Sequence, residues 1–421
     1  MLKKTTLKNG LRIITVPMRS TKAVTVLVLV GTGSKYEKKE ESGISHFLEH
    51  MFFKGTKKRP STLKIAETLD RVGGVYNAFT GKEYTGYWAK VNSKHLNLAL
   101  DWVSDILLNS KIGEKEIERE RGVIIEEINM YLDNPQSYIG DLFEKLLYGN
   151  KPAGRLIIGK REIIRKFKRK DFLNYLNNHY SAKNTVICLA GKIDGEKTLK
   201  KAKEYFKKIS VLEPGEKPEV IEKQKKPQVL VHFKKTDQTH LVLGVRSVDL
   251  FSPSRYSQAI LTTILGGNMS SRLFLAIREK EGLAYYIKTG SQAFTDTGYL
   301  ATFAGVDNKR VERAISLILK EYKNLKEKEV KESELQKAKD YLRGTLTLAL
   351  ESSDALVSFY GIRELLEHKI LTIEQVFAKI DDVTTQDVQK LANEIFQPEK
   401  LNLALIGPFK KKEKFEKLLK I

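Results

Sequence analysis

Among 421 residues there is one cysteine, Cys188, which excludes an internal disulfide and any cysteine-rich metal site. Long apolar runs are equally scarce. The longest, Ala23 to Val30, is β-branched and far too short to span a bilayer. The first residues, MLKKTTLKNGLRIITVP, carry two early lysines but no apolar core of a signal peptide and no Arg- and Ser-rich transit pattern, so a cytoplasmic protein is expected. No RNP motif, Cys/His finger or aromatic-interleaved basic strand accompanies the net charge of +22. Lysines and arginines number 74 against 52 acids, but they are spread among glutamates (EKKEE, KEKEVKESE), as on a solvated helical surface. Neither a nucleic-acid nor a membrane partner is therefore expected. What is present is a globular composition, 41% hydrophobic and 30% charged, in a chain long enough for two domains.

An internal repeat supports that count. DFLNYLNNHYSAKNTVICLAG, from Asp171, aligns without a gap on DVQKLANEIFQPEKLNLALIG, from Asp387. Each reads as helix, aromatic end, polar loop, apolar strand and glycine. The same offset of 216 lays AVTVLVLV from Ala23 on THLVLGVR from Thr239, and Cys188 on Ala404, so a buried small residue is expected at 188. Between the halves, Val211 to Gln228 is rich in proline and charge, the composition of a flexible linker. The expected division is therefore 1–210, a linker 211–228, and 229–421. Tyr84 to Val91 and Thr297 to Ala304 follow turn signals closely, as hairpins do. The fold class is α+β, each domain a mainly antiparallel sheet flanked by helices.

Only seven histidines occur, and two of them stand with a carboxylate in GISHFLEHMFF, Gly43 to Phe53. On a helix, His46, Glu49 and His50 share one face, because i, i+3 and i+4 are neighbours. Two imidazoles one turn apart can reach one zinc ion, and H-x-x-E-H is the inverzincin signature. The bland alternative is a helix with two satisfied histidines and a solvated Glu. A catalytic zinc needs a third ligand. In EKEIERERGVIIEEINMYL, Glu114 to Leu132, the positions Ile117, Ile124, Ile128 and Tyr131 make one helical stripe, with Glu120 and Glu127 on it and Glu126 well off it. Buried carboxylates are costly unless paired or bound to metal, so the spacing favours Glu127 as ligand and Glu120 as its support. Salt bridges to neighbouring arginines are the alternative. His95, His179, His232, His240 and His368 stand alone and read as structural or solvated, and GGN at Gly266–Asn268 reads as a turn.

SHFLEHMFFKGT, followed 77 residues after His50 by Glu127 in ERERGVIIEEI, resembles the M16 (pitrilysin) zinc metallopeptidases, over nearly the whole chain. The length matches the short two-domain members, such as those like the mitochondrial processing peptidase β-subunit. The resemblance implies one zinc ion on His46, His50 and Glu127, with Glu49 as the base acting on the zinc-held water and Glu120 supporting the site. RVGGVYNAFTGKEYTGYWAKV, Arg71 to Val91, resembles the family's substrate-side edge strand, which puts Asn77, Ala78 and Phe79 against substrate. SSRLFLAIREKEGLAYYI, Ser270 to Ile287, resembles its R-x6-Y element, giving Arg278 and Tyr285 substrate-binding or oxyanion-stabilising roles. The second half lacks His and Glu in the corresponding helix, SRYSQAILTTILGG, as the family's inactive copy does. A zinc endopeptidase for short or unfolded peptides is implied, enclosed in a clamshell and working as a homodimer or with a related subunit. Three rivals are weighed. A proteolytically silent scaffold of the same fold would not need the complete His46, Glu49, His50, Glu127 set. An S-ribosylhomocysteinase needs two functional cysteines. A basic nucleic-acid-binding protein would show salt-dependent binding to DNA or RNA.

Overall fold

The computed structural model describes residues 2–421. Two compact units make up the chain. The first is Met1–Asn129, Arg155–Pro218 and Thr347–Leu371, and the second is Met130–Gly154, Glu219–Leu346 and Thr372–Ile421.

The first unit is built on a six-stranded sheet: β1 (Lys3–Thr6), β2 (Arg12–Pro17), β3 (Ala23–Val30), β4 (Val75–Thr80), β5 (Thr85–Asn92) and β6 (Thr185–Gly191). The spatial order is β1-β2-β6-β3-β5-β4, with only β2 and β6 parallel. The central strand β3 is almost wholly buried, which explains why AVTVLVLV shows no polar alternation: it needs cover on both faces. Four helices come before residue 134 in the chain: α1 (Ile44–Met51), α2 (Thr62–Asp70), α3 (Leu96–Leu108) and α4 (Glu114–Asp133), whose last turn crosses the unit boundary at Met130. On one face α3 packs against β3 and β5 through Ala99, Leu100, Trp102, Val103 and Ile106. The other face is covered by the helix Ser353–Glu367, which packs on β3 and β6. At Gly361 a Cβ would lie 2.8 Å from Leu29 Cδ1 and 3.4 Å from Cys188 Cβ, so glycine permits this close approach. Ser353 Oγ meets Thr25 Oγ1 at 2.8 Å, and the buried Glu364 takes Lys4 Nζ at 2.9 Å and lies 3.8 Å from Arg12.

The second unit repeats the plan with β7 (Gln228–Phe233), β8 (Gln238–Ser247), β9 (Ala284–Ala293), β10 (Gly298–Asp307) and β11 (Leu401–Gly407), in the order β7-β11-β8-β10-β9. Strands β6 and β11, matched by the repeat, are buried along their whole length and occupy equivalent places, each with its one parallel neighbour. Both expected hairpins form, β4–β5 and β9–β10. The helix α5 (Pro135–Tyr148) packs on this sheet, burying Ile139, Leu142, Phe143 and Leu147 with Val242, Ala404 and Ile406.

Three expectations need amending. The contiguous division at 1–210 and 229–421 differs from the observed units in two segments: 130–154 packs with the second sheet and 347–371 with the first. Helix periodicity shows that a face is apolar but not which sheet will cover it. The linker is also less free than its composition suggests. Gly215 N donates to Asn178 O at 2.8 Å, Lys217 Nζ lies 3.4 Å from the buried Glu83, and Gln224 Nε2 donates to Glu399 O at 2.7 Å. Last, Tyr131 leaves the buried stripe of α4 and is 41% exposed; the stripe ends at Ile128, just before the unit boundary. Cys188 is fully buried, as expected. No helix of the described residues is long and apolar enough to cross a membrane.

Candidate active site

Helix α1 is amphipathic in an unusual sense. Ile44, Phe47, Leu48 and Met51 are fully buried, Phe47 against the rings of Phe167 and Phe172 at 6.3 and 4.9 Å. The opposite face carries His46, Glu49 and His50, all half-buried. Gly43 starts the helix at φ 95°, where a side chain is strained, and a Cβ there would lie 2.8 Å from Ile158 O. A glycine offers no capping side chain. The buried carboxylate of Glu37 does the capping instead, accepting from Gly43 N at 2.8 Å and Ser45 N at 3.0 Å.

Helix α4 brings the second set of groups. Ile117, Glu120, Ile124 and Ile128 are buried, Glu127 is half-buried, and Glu126 is exposed, as the spacing predicts. Glu127 Oε2 lies 3.6 Å from Nε2 of His46 and 3.6 Å from Nε2 of His50. Those distances exceed a hydrogen bond. Three ligand atoms of His46, His50 and Glu127 fall within 4.8 Å of one another. Ligands about 2.1 Å from a tetrahedral zinc stand about 3.4 Å apart, so the spacing suits one ion. Glu127 Oε2 and His46 Nδ1 are buried without any hydrogen-bond partner among the described residues. A buried carboxylate oxygen with no donor is short of a positive partner, and a cation supplies it. The donor set of two imidazoles and a carboxylate fits zinc.

The electrostatics point the same way. Burial, with the neighbouring His50, pushes the His46 imidazole down to about 3, so at neutral pH it is the uncharged, ligating form. Burial raises Glu127, opposed by His50 and reinforced by Glu120. Burial also raises Glu120, but hydrogen bonds from His50 and Lys54 and the charge of Lys54 outweigh it, leaving that carboxyl below the usual range. His50 Nδ1 donates to Glu120 Oε1 at 2.8 Å, because an ionised carboxylate can only accept. That fixes the tautomer and leaves Nε2 open toward Glu127. Lys54 Nζ meets Glu120 Oε2 at 2.6 Å. Glu49 accepts from the Thr80 hydroxyl, and burial raises its pKa against the pull of Thr80 and His50.

Asn77, Ala78 and Phe79 lie on β4, an edge strand paired only with β5, and Thr80 at its end ties that edge to Glu49. Arg278 and Tyr285 belong to the second unit. Arg278 stacks over Phe274 at 5.0 Å, and Tyr285 on β9 is 76% exposed. Three contributors escape the sequence reading: Thr80, Lys54 and Glu37. Lys54 sits one turn beyond His50, which is a faint signal; the other two have none.

Residues 12–161 match the family model described as Insulinase (Peptidase family M16), and residues 166–342 match Peptidase M16 inactive domain. The chain is 36% identical over 411 residues to the uncharacterized zinc protease YmxG of Bacillus subtilis, covering 97% of this chain and 98% of that one. The chain belongs to peptidase family M16. An uncharacterized zinc protease of Streptomyces coelicolor is 34% identical, with 98% and 91% of the two chains covered. The crystal structure of a protease from Helicobacter pylori superimposes with a TM-score of 0.90 at 25% identity, over 97% of this M16 chain and 99% of the other. The expected family and the α+β fold of two homologous domains are thereby established.

Proposed function

We propose that this M16 chain is a zinc-dependent endopeptidase acting on short or unfolded peptides. The observation that carries the reading is the convergence of His46 Nε2, His50 Nε2 and Glu127 Oε2, with the last oxygen buried and unpartnered. His46, His50 and Glu127 hold one ion per chain, since this is the one such group among the described residues. When bound, zinc acts as a Lewis acid that polarises a carbonyl and makes water more acidic.

The remaining roles fall to the chain itself. Glu49 is not a ligand in this arrangement. It lies on the same helical face, held by Thr80 and with its proton affinity raised by burial. Such a carboxylate takes a proton from the attacking water and returns it to the leaving amine. Glu120 holds His50 in the ligating tautomer. The free edge of β4 offers unpaired main-chain groups, and a peptide adding there as a strand gains register from Asn77, Ala78 and Phe79. An added strand must be extended, which selects unfolded substrate. Arg278 and Tyr285 bind the peptide or steady the developing oxyanion; their exposure and the resemblance support this.

The test is Glu49→Gln, with zinc content and peptide hydrolysis measured on the same sample. Retained zinc near one per chain with hydrolysis lost is expected. Unchanged turnover would remove Glu49 from the chemistry.

A further inference from the structure

Away from the metal-binding groups, the first unit contains a cavity of about 280 Å3 on the side of the sheet opposite the helix Ser353–Glu367. Val28 and Val30 of β3 form its floor. Leu107 and Leu108 at the end of α3, with Leu173 and Leu176 of the helix Arg169–His179, form its walls. All four leucines are only partly buried, although each comes from an element of the core. Apolar surface is therefore left uncovered inside the unit, where close packing is the rule. Asn177 and Lys208 line the same space and are exposed. Neither side chain has a hydrogen-bond or ion-pair partner among the described residues. The hydroxyls of Ser110, Tyr180, Thr185 and Ser210 also line the space, but each is already hydrogen-bonded within the unit, so the uncommitted polar groups beside the aliphatic walls are one ammonium and one amide.

That combination selects a ligand class. A peptide is disfavoured, because its amides would lie unsatisfied against leucine. Water alone finds few uncommitted polar partners, since the lining hydroxyls are already engaged. A neutral hydrocarbon leaves Lys208 unused. A space of that size has room for a medium-length chain together with its head group. We infer that this cavity binds a medium-chain aliphatic carboxylate, with its tail on Val28, Val30 and the leucines and its head at Lys208 and Asn177.

The probe is octanoate, with hexanoate, butanoate and neutral octanol as comparisons, titrated into the full chain with labelled leucine and valine methyl groups. Each added methylene buried in the cavity should tighten binding about fourfold. Shifts should concentrate on Val28, Val30, Leu173 and Leu176. Octanoate should bind several-fold tighter than octanol, and Lys208→Met should erase that preference. Leu176→Trp, which fills the space, should abolish binding. Should that variant fail to fold, Lys208→Met and the chain-length series still decide. No saturable octanoate binding, no dependence on chain length, or undiminished binding in a folded Leu176→Trp protein would each overturn the inference.

Discussion

Cutting the chain at Pro218 strips the first sheet of the helix Ser353–Glu367, which covers one face of β3 and β6. That helix buries Leu356, Val357, Phe359, Tyr360 and Leu365, each less than 9% exposed. At about 1.5–3 kcal/mol per fully buried side chain, the loss is of order 8–15 kcal/mol, an upper estimate because unfolded chains already hide some surface. A domain's whole stability is about 5–15 kcal/mol. The buried Glu364 is lost as well, which leaves Lys4 and the buried Arg12 without that carboxylate. Residues 1–218 alone should therefore lack a cooperative unfolding transition and bind zinc poorly. Adding residues 347–371 through a flexible Gly/Ser connection should restore both, even without the rest of the second unit. The assays are thermal unfolding followed by circular dichroism and zinc retention against a competing chelator. If residues 1–218 alone unfold cooperatively and hold one zinc, the helix is an accessory and the reasoning fails.

Glu127→Gln should weaken zinc binding at least tenfold, whereas the exposed Glu126→Gln should leave it unchanged; chelator competition distinguishes them. Lys54→Met deprives Glu120 of its second donor, so zinc affinity should fall roughly tenfold while the unfolding temperature moves little. Burial raises Glu37 to about 7 against the hydrogen bonds it accepts from Gly43 and Ser45, so between its ordinary value of 4.5 and 7 the folded state binds more protons than the unfolded one. Stability should accordingly fall by about 3 kcal/mol as pH rises through that window and level off above it, and Glu37→Gln should flatten that slope in denaturant titrations run at several pH values.

Residues whose role follows from local spacing were legible. His46, Glu49 and His50 share a face because of the 3.6-residue turn, and the same period separates Glu127 from Glu126 one residue away. The repeat located β6 and β11 because strand, glycine and flanking helix recur together. Thr80, Lys54 and Glu37 were not legible as a group, because each acts through a partner that only tertiary folding supplies.

The exchange of α5 and Ser353–Glu367 between the sequence halves shows where the physical information does lie. AVTVLVLV announces a strand buried on both faces, and such a strand requires two covers. The same side-chain alternation that sends Val28 and Val30 toward α3 sends Leu27 and Leu29 toward Gly361. The pattern fixes that a second cover exists, but an apolar stripe carries no address. A trace of it remains in the covering helix, where Gly361 interrupts large apolar residues at the point of closest approach. A glycine inside a good helix costs about 1 kcal/mol relative to alanine, so its presence there implies a partner backbone or side chain too near for a methyl group. In this chain that partner is Leu29, more than three hundred residues away in sequence, and the first unit is complete only when that distant helix arrives.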